Sequence, residues 1–562
     1  MKKTINKKKE KKQNHAIIEF SLFAPTIEEA VLFGSFNDWQ DIVMKKGEDG
    51  YFRTPLPLAD GEYQYRFKVQ SKSWFNQENE WVTITDPYVT DIDESTQNGV
   101  VCIKNGRRIL DEYVWQHDDK PLPHDNQLVI YELHVGDFSG GEADPFLRGK
   151  YSDVLAKLDH LTELGINAIE LMPVKEFPGD RSWGYNPKYF FASESSYGST
   201  AELKHLIDEC HARGIRVLMD GVYNHANSES PLTQIDHDYW FHHEPRDLAF
   251  SWGPEFNYEF HDEKFDIMPA RKFIGDVVRF WIGEYHIDGI RYDAARQIGN
   301  YDFMRWIVEE TKETVPFKPF YNVAEYLPPE PSITGAEGPM DGCWHDFFLH
   351  TIGDYLKTGE CHMEAIKDVI DAKRKGFTQA TNVVNYLSNH DHDRLLAKLG
   401  EQGIVGDEAF RRAKLGATIL MTAFGIPMLW MGEEFGEFKP KTIDENKINW
   451  QLLAQEPNRE LFNHYKSLIA LRKQHPALGA DELSFIHEDI EHKVLSYTRW
   501  AEGGGKVLVV LNLSGENLTD YSIYNVSEDG FWQEWNADVQ VEAILNQMRL
   551  DLPERAARVF VK

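Results

Sequence analysis

Charged side chains follow an apolar segment in the middle of the chain, and their spacing is what a chemical site would need. The stretch "EYHIDGIRYDAARQ" places Arg291 and Asp293 two residues apart, directly after the apolar run 287–290. Residues two apart in a strand point to the same face. Burying charge is costly, and a strand needs neither residue for its own structure. The spacing therefore predicts that an arginine and an aspartate are directed together at the end of a buried strand.

Three other segments end in the same manner, with acids, histidines or an amide after an apolar run. "MDGVYNH", "NVAEY" and "YLSNHD" contribute, in chain order, Asp220, Asn224, His225, Glu325, His390 and Asp391. A single Asp after a strand is ordinarily a helix cap, and a single His is ordinarily a core residue. Because such residues recur at equivalent positions of four strands, we interpret them as one site.

Carboxylates that converge on one volume suit retaining glycoside hydrolysis. This reaction uses one ionised carboxylate as nucleophile and one protonated carboxyl group as acid/base, about 5–5.5 Å apart. We expect Arg291 to lower the pKa of Asp293, so that Asp293 stays anionic. We expect partial burial and a neighbouring carboxylate such as Asp391 to raise the pKa of Glu325, so that it keeps its proton.

Histidines and aromatic residues indicate what such a site would bind. His225 and His390 suit hydrogen bonds to sugar hydroxyl groups. The paired acids alone leave metal-assisted hydrolysis by Asp and His open as an alternative. Trp183 and Tyr185, in "FPGDRSWGYNP", lie in the loop after the second strand of the region, where an aromatic ring can stack on glucose. These aromatics favour a sugar substrate.

The segments that must position these residues alternate between strand and helix from residue 128 to 450. Eight strands are predicted at "LVIYELHV", "AIELMPV", "IRVLMDGVYNH", "IDGIRYDA", "FYNVAEY", "MDGCWHDF", "NVVNYLSNHD" and "GIPMLWMGEE". Amphipathic segments such as "YSDVLAKLDHLTELG" predict helices between them, with Gly165 placed to end that helix. Eight such units predict an α/β fold, a (β/α)₈ TIM barrel whose chemistry lies at the C-terminal ends of its strands. A doubly wound open sheet is the alternative, but no Gly-rich phosphate loop follows any strand.

Two strand-rich regions flank the predicted barrel. In "GEYQYRFKV" apolar and aromatic residues alternate with polar ones, which is the period of a half-buried strand. "HKVLSYTRW", "GKVLVVLNLS" and "ARVFVK" are typical of an antiparallel sheet. We predict a basic disordered tail at 1–14, a β-sandwich at 15–115, the barrel at 116–474 and a C-terminal β domain at 475–562.

Composition limits the partners and the compartment. The formal net charge of −31 repels phosphate groups, so neither nucleic acid nor a membrane is an expected partner. No apolar run typical of a signal peptide follows the basic tail. The four cysteines lack metal-ligand spacing, and we expect a reduced, cytoplasmic protein.

The four polar motifs together resemble a known family. "DGVYNH", "GIRYDAAR", "NVAEY" and "LSNHD" resemble, in order, the motif regions of the α-amylase family, glycoside hydrolase family 13. "GIPMLWMGEEFGE" resembles its eighth-strand region, and "VLFGSFNDW" resembles an early-set or family-48 carbohydrate-binding module. The resemblance implies that Asp293 is the nucleophile, Glu325 the general acid/base and Asp391 a third carboxylate that stabilises the transition state.

The resemblance also implies roles for the other motif residues. Those that bind the sugar at the cleavage point are Arg291, His225, His390 and, as a stacking aromatic, Tyr185. Asp220 matches a structural acid of the rim. Asn224 matches a calcium ligand of secreted amylases, but its partner ligands are not evident in the sequence. Calcium therefore stays open as an alternative and is not predicted, no residue is assigned as a metal ligand, and the family uses no organic cofactor.

The implied substrate is an α-glucan, and the activity has three candidates within the family. We favour hydrolysis of α-1,4-glucosidic bonds in glycogen, starch or maltodextrin, because only 31 residues separate Asp293 from Glu325, an interval shorter than in typical branching enzymes. Segments such as "IYELHVGDF" and "ELMPVKEFPGDRSWGY" look like branching enzymes and maltooligosyltrehalose trehalohydrolases, which are the alternatives. A non-catalytic glucan-binding protein is the remote alternative, and it predicts the loss of at least one rim carboxylate.

Overall fold

The protein is described by a computed structural model that covers residues 15–77, 80–141, 147–179, 181–444 and 446–562. The predicted basic tail, residues 1–14, lies outside the described residues. Within the described part, the strands form an N-terminal pair of sheets, a closed barrel with a small hairpin, and a C-terminal sheet.

The N-terminal strands form two facing antiparallel sheets. They are β1 (Ala16–Phe23), β2 (Ala30–Gly34), β3 (Ile42–Val43), β4 (Lys45–Lys46), β5 (Tyr51–Leu58), β6 (Gly61–Gln70), β7 (Trp81–Ile84), β8 (Gly99–Lys104) and β9 (Arg107–Ile109). One sheet has the order β1-β5-β4, and the other β3-β2-β6-β8-β9 with β7 also on β6. The alternation predicted for β6 is confirmed, because Tyr65, Phe67 and Val69 are buried. Phe20 of β1 packs edge-on against Tyr65, with 5.0 Å between ring centroids.

Eight parallel strands close into a barrel, as predicted. The strands of this region are β10 (Ile130–Leu133), β11 (Ala168–Leu171), β12 (Lys175–Glu176), β13 (Tyr189–Ser193), β14 (Arg216–Gly221), β15 (Gly289–Tyr292), β16 (Tyr321–Ala324), β17 (Gly342–Trp344), β18 (Val383–Asn385) and β19 (Ile426–Trp430). The barrel order is β10-β11-β14-β15-β16-β17-β18-β19, and β19 returns to β10. β12 and β13 form a separate hairpin that the sequence patterns did not predict.

The helices cover the barrel and largely follow the predicted amphipathic segments. They are α1 (Val135–Phe138), α2 (Tyr151–Leu155), α3 (Leu158–Leu164), α4 (Thr200–Ala212), α5 (Pro231–Trp240), α6 (Pro269–Tyr285), α7 (Ala295–Ile298), α8 (Tyr301–Thr314), α9 (Asp346–Thr358), α10 (Met363–Ile370), α11 (Leu395–Glu401), α12 (Gly406–Thr422) and α13 (Glu456–Gln474). Gly165 ends α3 in the left-handed conformation, as predicted. The single helix predicted over 151–164 is instead two, because Lys157 departs from helical geometry between α2 and α3.

The barrel interior consists of an apolar layer below a polar layer. Side chains two residues apart on one strand share a face, so each strand contributes to both layers. The apolar layer includes Ile130, Leu218 and Val323. Two residues further along β10, β11, β14, β15 and β16 come the members of the polar layer: Glu132, Glu170, Asp220, Arg291 and Glu325. The strand register thus sets the depth of the polar layer at the C-terminal rim.

The C-terminal strands form one antiparallel sheet. They are β20 (Glu482–Asp489), β21 (Val494–Trp500), β22 (Lys506–Asn512), β23 (Leu518–Tyr524), β24 (Gly530–Glu534), β25 (Gln540–Ile544), β26 (Gln547–Leu552) and β27 (Ala556–Val561). Their order is β20-β21-β22-β27-β24-β25-β26-β23. All four cysteines are free thiols. Among the helices of the described residues, none combines the length and apolar character needed to cross a membrane.

Candidate active site

A pocket of about 420 Å³ opens at the C-terminal rim of the barrel, above the polar layer. Its walls come from several loops that follow different barrel strands. The residues that line it are Tyr185, His225, Phe250, Trp252, Asp293, Ala294, Gln297, Glu325, Leu327, His390 and Asp391. The three acids predicted from three separate motifs therefore meet at one opening, at the end of the barrel where such folds carry their chemistry.

Arg291 lies at the floor of this pocket and contacts three carboxyl groups. Its Nη1 donates to both oxygens of Asp220, at 2.8 and 2.7 Å, and to Oδ1 of Asp293 at 3.0 Å. Its Nη2 lies 3.1 Å from Oε2 of Glu325. The guanidinium is fully buried and lies over the ring of Trp344, 4.2 Å from the centroid. Adjacent nitrogens of one rigid, planar group thus face both Asp293 and Glu325.

The pKa values of Asp293 and Glu325 are both raised. Burial is the largest cause for Asp293, and the Glu325 carboxyl adds to the increase, whereas Arg291 lowers this pKa. The predicted effect of Arg291, which lowers this pKa, is confirmed, but the prediction of a net lowering that keeps Asp293 anionic is wrong. The main physical reason is burial, and the opposing effect of Arg291 is limited because Asp220 accepts two of its hydrogen bonds.

Glu325 behaves as predicted, because burial raises its pKa and the charge of Asp391 acts in the same direction. Two neighbouring carboxyl groups that both resist ionisation titrate as a pair. Such a pair loses its two protons in separate steps, so it passes through a state with one acid and one anion. This is the protonation state that a nucleophile and an acid/base require.

The backbone after β15 brings the two acids together. Ala294 adopts a left-handed conformation, with φ of 48°, which is unusual for a residue with a side chain. This conformation directs the Ala294 N–H to Oε2 of Glu325 at 2.7 Å, and the next N–H, of Ala295, to the Glu325 carbonyl oxygen at 3.0 Å. In return, the Glu325 N–H donates to the carbonyl oxygen of Tyr292 at 3.0 Å. Local strain thus fixes the position of Glu325 relative to Asp293.

Asp391 and His390 form the opposite wall. The Asp391 side chain is 44% exposed, and its Oδ2 lies 3.4 Å from Nε2 of His390. Burial raises the pKa of Asp391, but the charges of His390 and Arg291 outweigh it and leave this pKa below its usual range. The pKa of His390 rises to about 9, because Asp391 and Glu132 outweigh the opposing effect of burial. At neutral pH this wall therefore carries an anion beside a cation.

Tyr185 and Trp183 pack around the His390 ring. The ring of Tyr185 stacks on His390 at 4.9 Å and 21°, and its hydroxyl donates to Oδ2 of Asp220 at 2.5 Å. Trp183 meets the same imidazole edge-on at 5.5 Å. Tyr185 lines the pocket, where its position suits contact with a sugar ring, whereas Trp183 is placed to support the wall.

His225 and Asn224 follow β14 and are both buried. The Nε2–H of His225 donates to the Tyr185 carbonyl oxygen at 2.8 Å, and Nδ1 lies 3.4 Å from Nδ2 of Asn224. Burial lowers the pKa of His225, so this imidazole is neutral. Oδ1 of Asn224 has no hydrogen-bond partner among the described residues. Within the same residues, no group of three or more His, Cys, Asp or Glu side chains is arranged to hold a metal ion.

Several residues at this site were not predicted from the sequence. Glu132 and Glu170 belong to the polar layer, and the signal that could have found them is a lone acid at the third position of the strand segments "IYEL" and "AIEL". The pocket residues from the long loop after β14, Phe250 and Trp252, are 42% and 50% exposed. Their loop shows no strand or helix periodicity, and its path across the rim is a tertiary feature.

Family comparisons agree with this architecture. The family described as "Alpha amylase, catalytic domain" matches residues 105–332 and 345–456, which is more than half of the chain. "Carbohydrate-binding module 48 (Isoamylase N-terminal domain)" matches 7–89, and "Alpha amylase, C-terminal all-beta domain" matches 485–561.

Individual relatives lie at low identity but over long alignments. A malto-oligosyltrehalose trehalohydrolase of Saccharolobus solfataricus is 28% identical over 65% of this chain and 72% of its own length. A pullulanase of Bacillus subtilis is 27% identical over 87% of this chain and 72% of its own. A 1,4-alpha-glucan branching enzyme of Salinibacter ruber is 28% identical over 93% of this chain and 88% of its own.

Solved structures share the fold. The type I pullulanase of Bacillus subtilis, complexed with maltose, superimposes with a TM-score of 0.81 at 22% identity, over 98% of this chain and 85% of that one. With its closed barrel, its rim of acids and its catalytic-domain match, the chain belongs to the α-amylase family, glycoside hydrolase family 13, and is an enzyme of that family.

Proposed function

We propose that the protein cleaves α-1,4-glucosidic bonds of glycogen, starch or maltodextrin by double displacement, with water as the final acceptor. The observation that carries the proposal is the contact of one guanidinium, that of Arg291, with both Asp293 and Glu325. The shared guanidinium holds the two carboxyl groups near each other, which supports retention, for which they lie about 5–5.5 Å apart, over inversion, for which they lie about 6.5–9.5 Å apart with room for a water molecule.

Each acid has one role in the proposed reaction. Asp293, as the anion of the pair, attacks the anomeric carbon and forms a glycosyl ester, while Glu325 gives its proton to the leaving oxygen. Glu325 then takes a proton from the incoming water, which hydrolyses the ester and restores both groups. Asp391, anionic on the opposite wall, stabilises the positive charge that develops on the sugar.

The neighbouring side chains bind the sugar. His390 presents Nε2 toward Asp391 and the pocket, where it can donate to a sugar hydroxyl. Tyr185 provides the stacking face, and His225 forms part of the wall beside it. Arg291 and Asp220 are buried, so their role is to hold the acids in place.

Branching transfer is the second candidate, and a specific observation favours it. The branching enzyme of Salinibacter ruber aligns with 93% of this chain and 88% of its own length, so the two share nearly their whole domain order. Transfer differs from hydrolysis only in the acceptor, because a sugar hydroxyl replaces water in the second displacement.

Product analysis distinguishes the candidates. On amylose, hydrolysis yields short maltooligosaccharides that are α-anomers when first released, whereas transfer yields new α-1,6 branch points at constant reducing-end concentration. Cleavage of pullulan without cleavage of amylose would instead assign α-1,6 specificity and contradict the proposed linkage. Asp293→Asn and Glu325→Gln should each lower the rate by about three orders of magnitude. Unchanged activity in either variant would remove the mechanism.

We also propose the division of the chain into a β-sandwich at 15–115, the catalytic barrel at 116–474 and a C-terminal β domain at 475–562. The family matches at 7–89, at 105–332 with 345–456, and at 485–561 support the order of these parts. The proposed partner is the α-glucan substrate.

A further inference from the structure

Glu132, at the third position of β10, binds the His390 residue at two points. Its Oε1 accepts from Nδ1 of the imidazole at 2.6 Å, and its Oε2 accepts from the His390 backbone N–H at 3.2 Å. Both side chains are almost fully buried. One carboxylate therefore fixes both the ring and the backbone of the loop that also carries Asp391.

Three aromatic side chains prevent the ring from turning over. Tyr185 stacks on one face of the imidazole, Trp183 meets it edge-on, and Trp344 lies 5.9 Å away between centroids. Because Nδ1 is committed as a donor to Glu132, the remaining nitrogen, Nε2, is the one that faces Asp391 at 3.4 Å.

This arrangement determines the protonation of His390. A neutral ring with its proton on Nδ1 would present a lone pair on Nε2 to the Asp391 carboxylate, which is unfavourable. With a second proton, Nε2 becomes a donor toward Asp391 and toward a sugar hydroxyl in the pocket. We propose that Glu132 is a positioning residue that holds His390 as a cation, with Nε2–H directed into the pocket.

Other titratable groups face His390 from the surrounding strands, and their effects on its protonation must be weighed as well. The acids among them are Glu170, Asp293, Glu325 and Asp391. The cation Arg291 acts in the opposite direction and lowers the pKa of His390. The Tyr185 hydroxyl lies 3.4 Å from Nδ1 of His390. Of these acids, only Asp391 lies within 4 Å of a ring nitrogen, and Glu132 is closer still. Glu132 is almost fully buried, so water screens its interaction with the ring very little.

Glu170 offers a matched control. It pairs with Glu132 across β10 and β11 in the same layer of the barrel. Neither of its carboxyl oxygens has a hydrogen-bond partner among the described residues. Burial raises the pKa of Glu170 well above its usual range and so disfavours its ionised form. Glu170→Gln therefore repeats the substitution in the same layer without removing a hydrogen bond to His390.

The test is a titration of the imidazole by NMR in full-length protein labelled with ¹³C at histidine Cε1, with the signal assigned by its absence in His390→Asn. Wild-type His390 should stay protonated through pH 8. In Glu132→Gln its pKa should fall by about one to two units, because a buried anion is lost. In Glu170→Gln it should stay within about 0.3 units of wild type, because burial disfavours a charge on Glu170 and no hydrogen bond to the imidazole is lost.

A wild-type pKa near 6.5, or an unchanged pKa in Glu132→Gln, would overturn the proposal. The wild-type titration decides the first point by itself, so the test holds even if the Glu132→Gln variant does not fold. Glu132→Asp, which keeps the charge on a shorter side chain, should recover most of the lost shift.

The kinetic readout rests on the proposed function. The ratio of kcat/KM in Glu132→Gln to that in wild type should fall about tenfold between pH 6 and pH 8, as the variant imidazole loses its proton. A purely structural role for Glu132 would make this ratio independent of pH. If the titration behaves as expected but no α-glucan is cleaved by wild type, the proposed function fails and the role of Glu132 stands.

Discussion

The charge of Arg291 is divided among Asp220, Asp293 and Glu325, and this division sets the electrostatics of the pocket floor. One cation cannot keep three buried carboxylates ionised, so burial dominates and raises the pKa of both Asp293 and Glu325. The strand spacing of Arg291 and Asp293 predicted their contact correctly. The net sign of the pKa shift depended on burial and, to a smaller extent, on Glu325 and Asp220, which lie on other strands; the two-residue spacing shows neither.

Replacement of Arg291 by lysine tests this shared role. Lysine keeps the charge but is a single point, so it cannot contact Asp220, Asp293 and Glu325 together. We expect Arg291→Lys to lower kcat/KM by about 10²–10³ and to move the acid limb of the pH profile to higher pH, because less stabilised carboxylates ionise at higher pH. Arg305→Lys, on the exposed surface of α8, is the control and should leave the profile unchanged. An acid limb that stays in place would contradict the shared role.

Lys175 carries a second residue-scale prediction, on stability. It is buried on β12, with Nζ 3.7 Å from Sδ of Met219 and 4.9 Å from the ring centroid of Tyr223. Burial lowers its pKa to about 7, against the weaker opposing effect of Asp220. Between pH 7 and the ordinary lysine value near 10.4 the unfolded chain binds the extra proton, so wild-type stability should rise with pH in this range.

Lys175→Met removes this cost and should stabilise the protein at pH 7 by about 1–3 kcal/mol. The advantage of the variant in thermal unfolding should shrink as the pH rises from 7 to 10. If the stability difference between variant and wild type does not change with pH, the account of Lys175 is contradicted. A variant that is less stable than wild type at pH 7 would also contradict it.

At the scale of elements, the barrel strands were predictable and their local departures were not. Continuous apolar runs predicted all eight strands, because both faces of a barrel strand are covered. The hairpin of β12 and β13 was missed, because it lies in the loop that also carries Trp183 and Tyr185 and shows no alternation. The break between α2 and α3 was missed because residues 156–157 are good helix formers, and tertiary packing overrides that propensity.

The three-residue strand β17 depends on the absence of a side chain at Gly342. A Cβ atom there would collide with Oη of Tyr321 and lie 2.6 Å from the carbonyl oxygen of Thr381. These two atoms are joined by a hydrogen bond of 2.6 Å that crosses the glycine. β17 is short, so a local disturbance affects the closure of the barrel between β16 and β18.

Gly342→Ala should therefore lower the free energy of unfolding by about 2–4 kcal/mol, because Tyr321 must move and its hydrogen bond is lost. Gly353→Ala is the control. Gly353 lies within α9, a Cβ added there would meet no atom within 4 Å, and alanine favours a helix by about 1 kcal/mol. Denaturant unfolding should show a lower midpoint only for Gly342→Ala. Equal midpoints for the two variants would contradict the close packing over β17.

At the scale of the whole molecule, a buried arginine connects the C-terminal sheet to the barrel. Arg499 of β21 is fully buried and donates to five backbone carbonyl oxygens. These belong to Thr422, Ala423, Leu478, Ala480 and Glu482, which span the end of α12 and the connection into β20. A cation at the C-terminal end of a helix also complements the helix dipole.

Arg499→Lys leaves at least two of these buried carbonyl oxygens without a donor, since the ammonium group has only three. We expect a loss of about 2–4 kcal/mol in the free energy of unfolding and faster proteolysis at residues 475–482. Arg549→Lys is the control, because Arg549 is 61% exposed on the same sheet. Unchanged proteolysis in Arg499→Lys would show that the sheet is held to the barrel by other contacts.

The covalent intermediate tests the central claim, that Asp293 is the nucleophile of a retaining enzyme, most directly. In Glu325→Gln, an α-maltosyl fluoride should still form the glycosyl ester, because fluoride leaves without a proton, and the ester should accumulate because its hydrolysis lacks a base. Mass spectrometry of the peptide that contains Asp293 should then show the added mass of a maltosyl group, absent in Asp293→Asn/Glu325→Gln. A maltosyl group found on Asp391 or elsewhere in the Glu325→Gln protein would contradict the account. Products released with inverted configuration, without any labelled peptide, would contradict it as well.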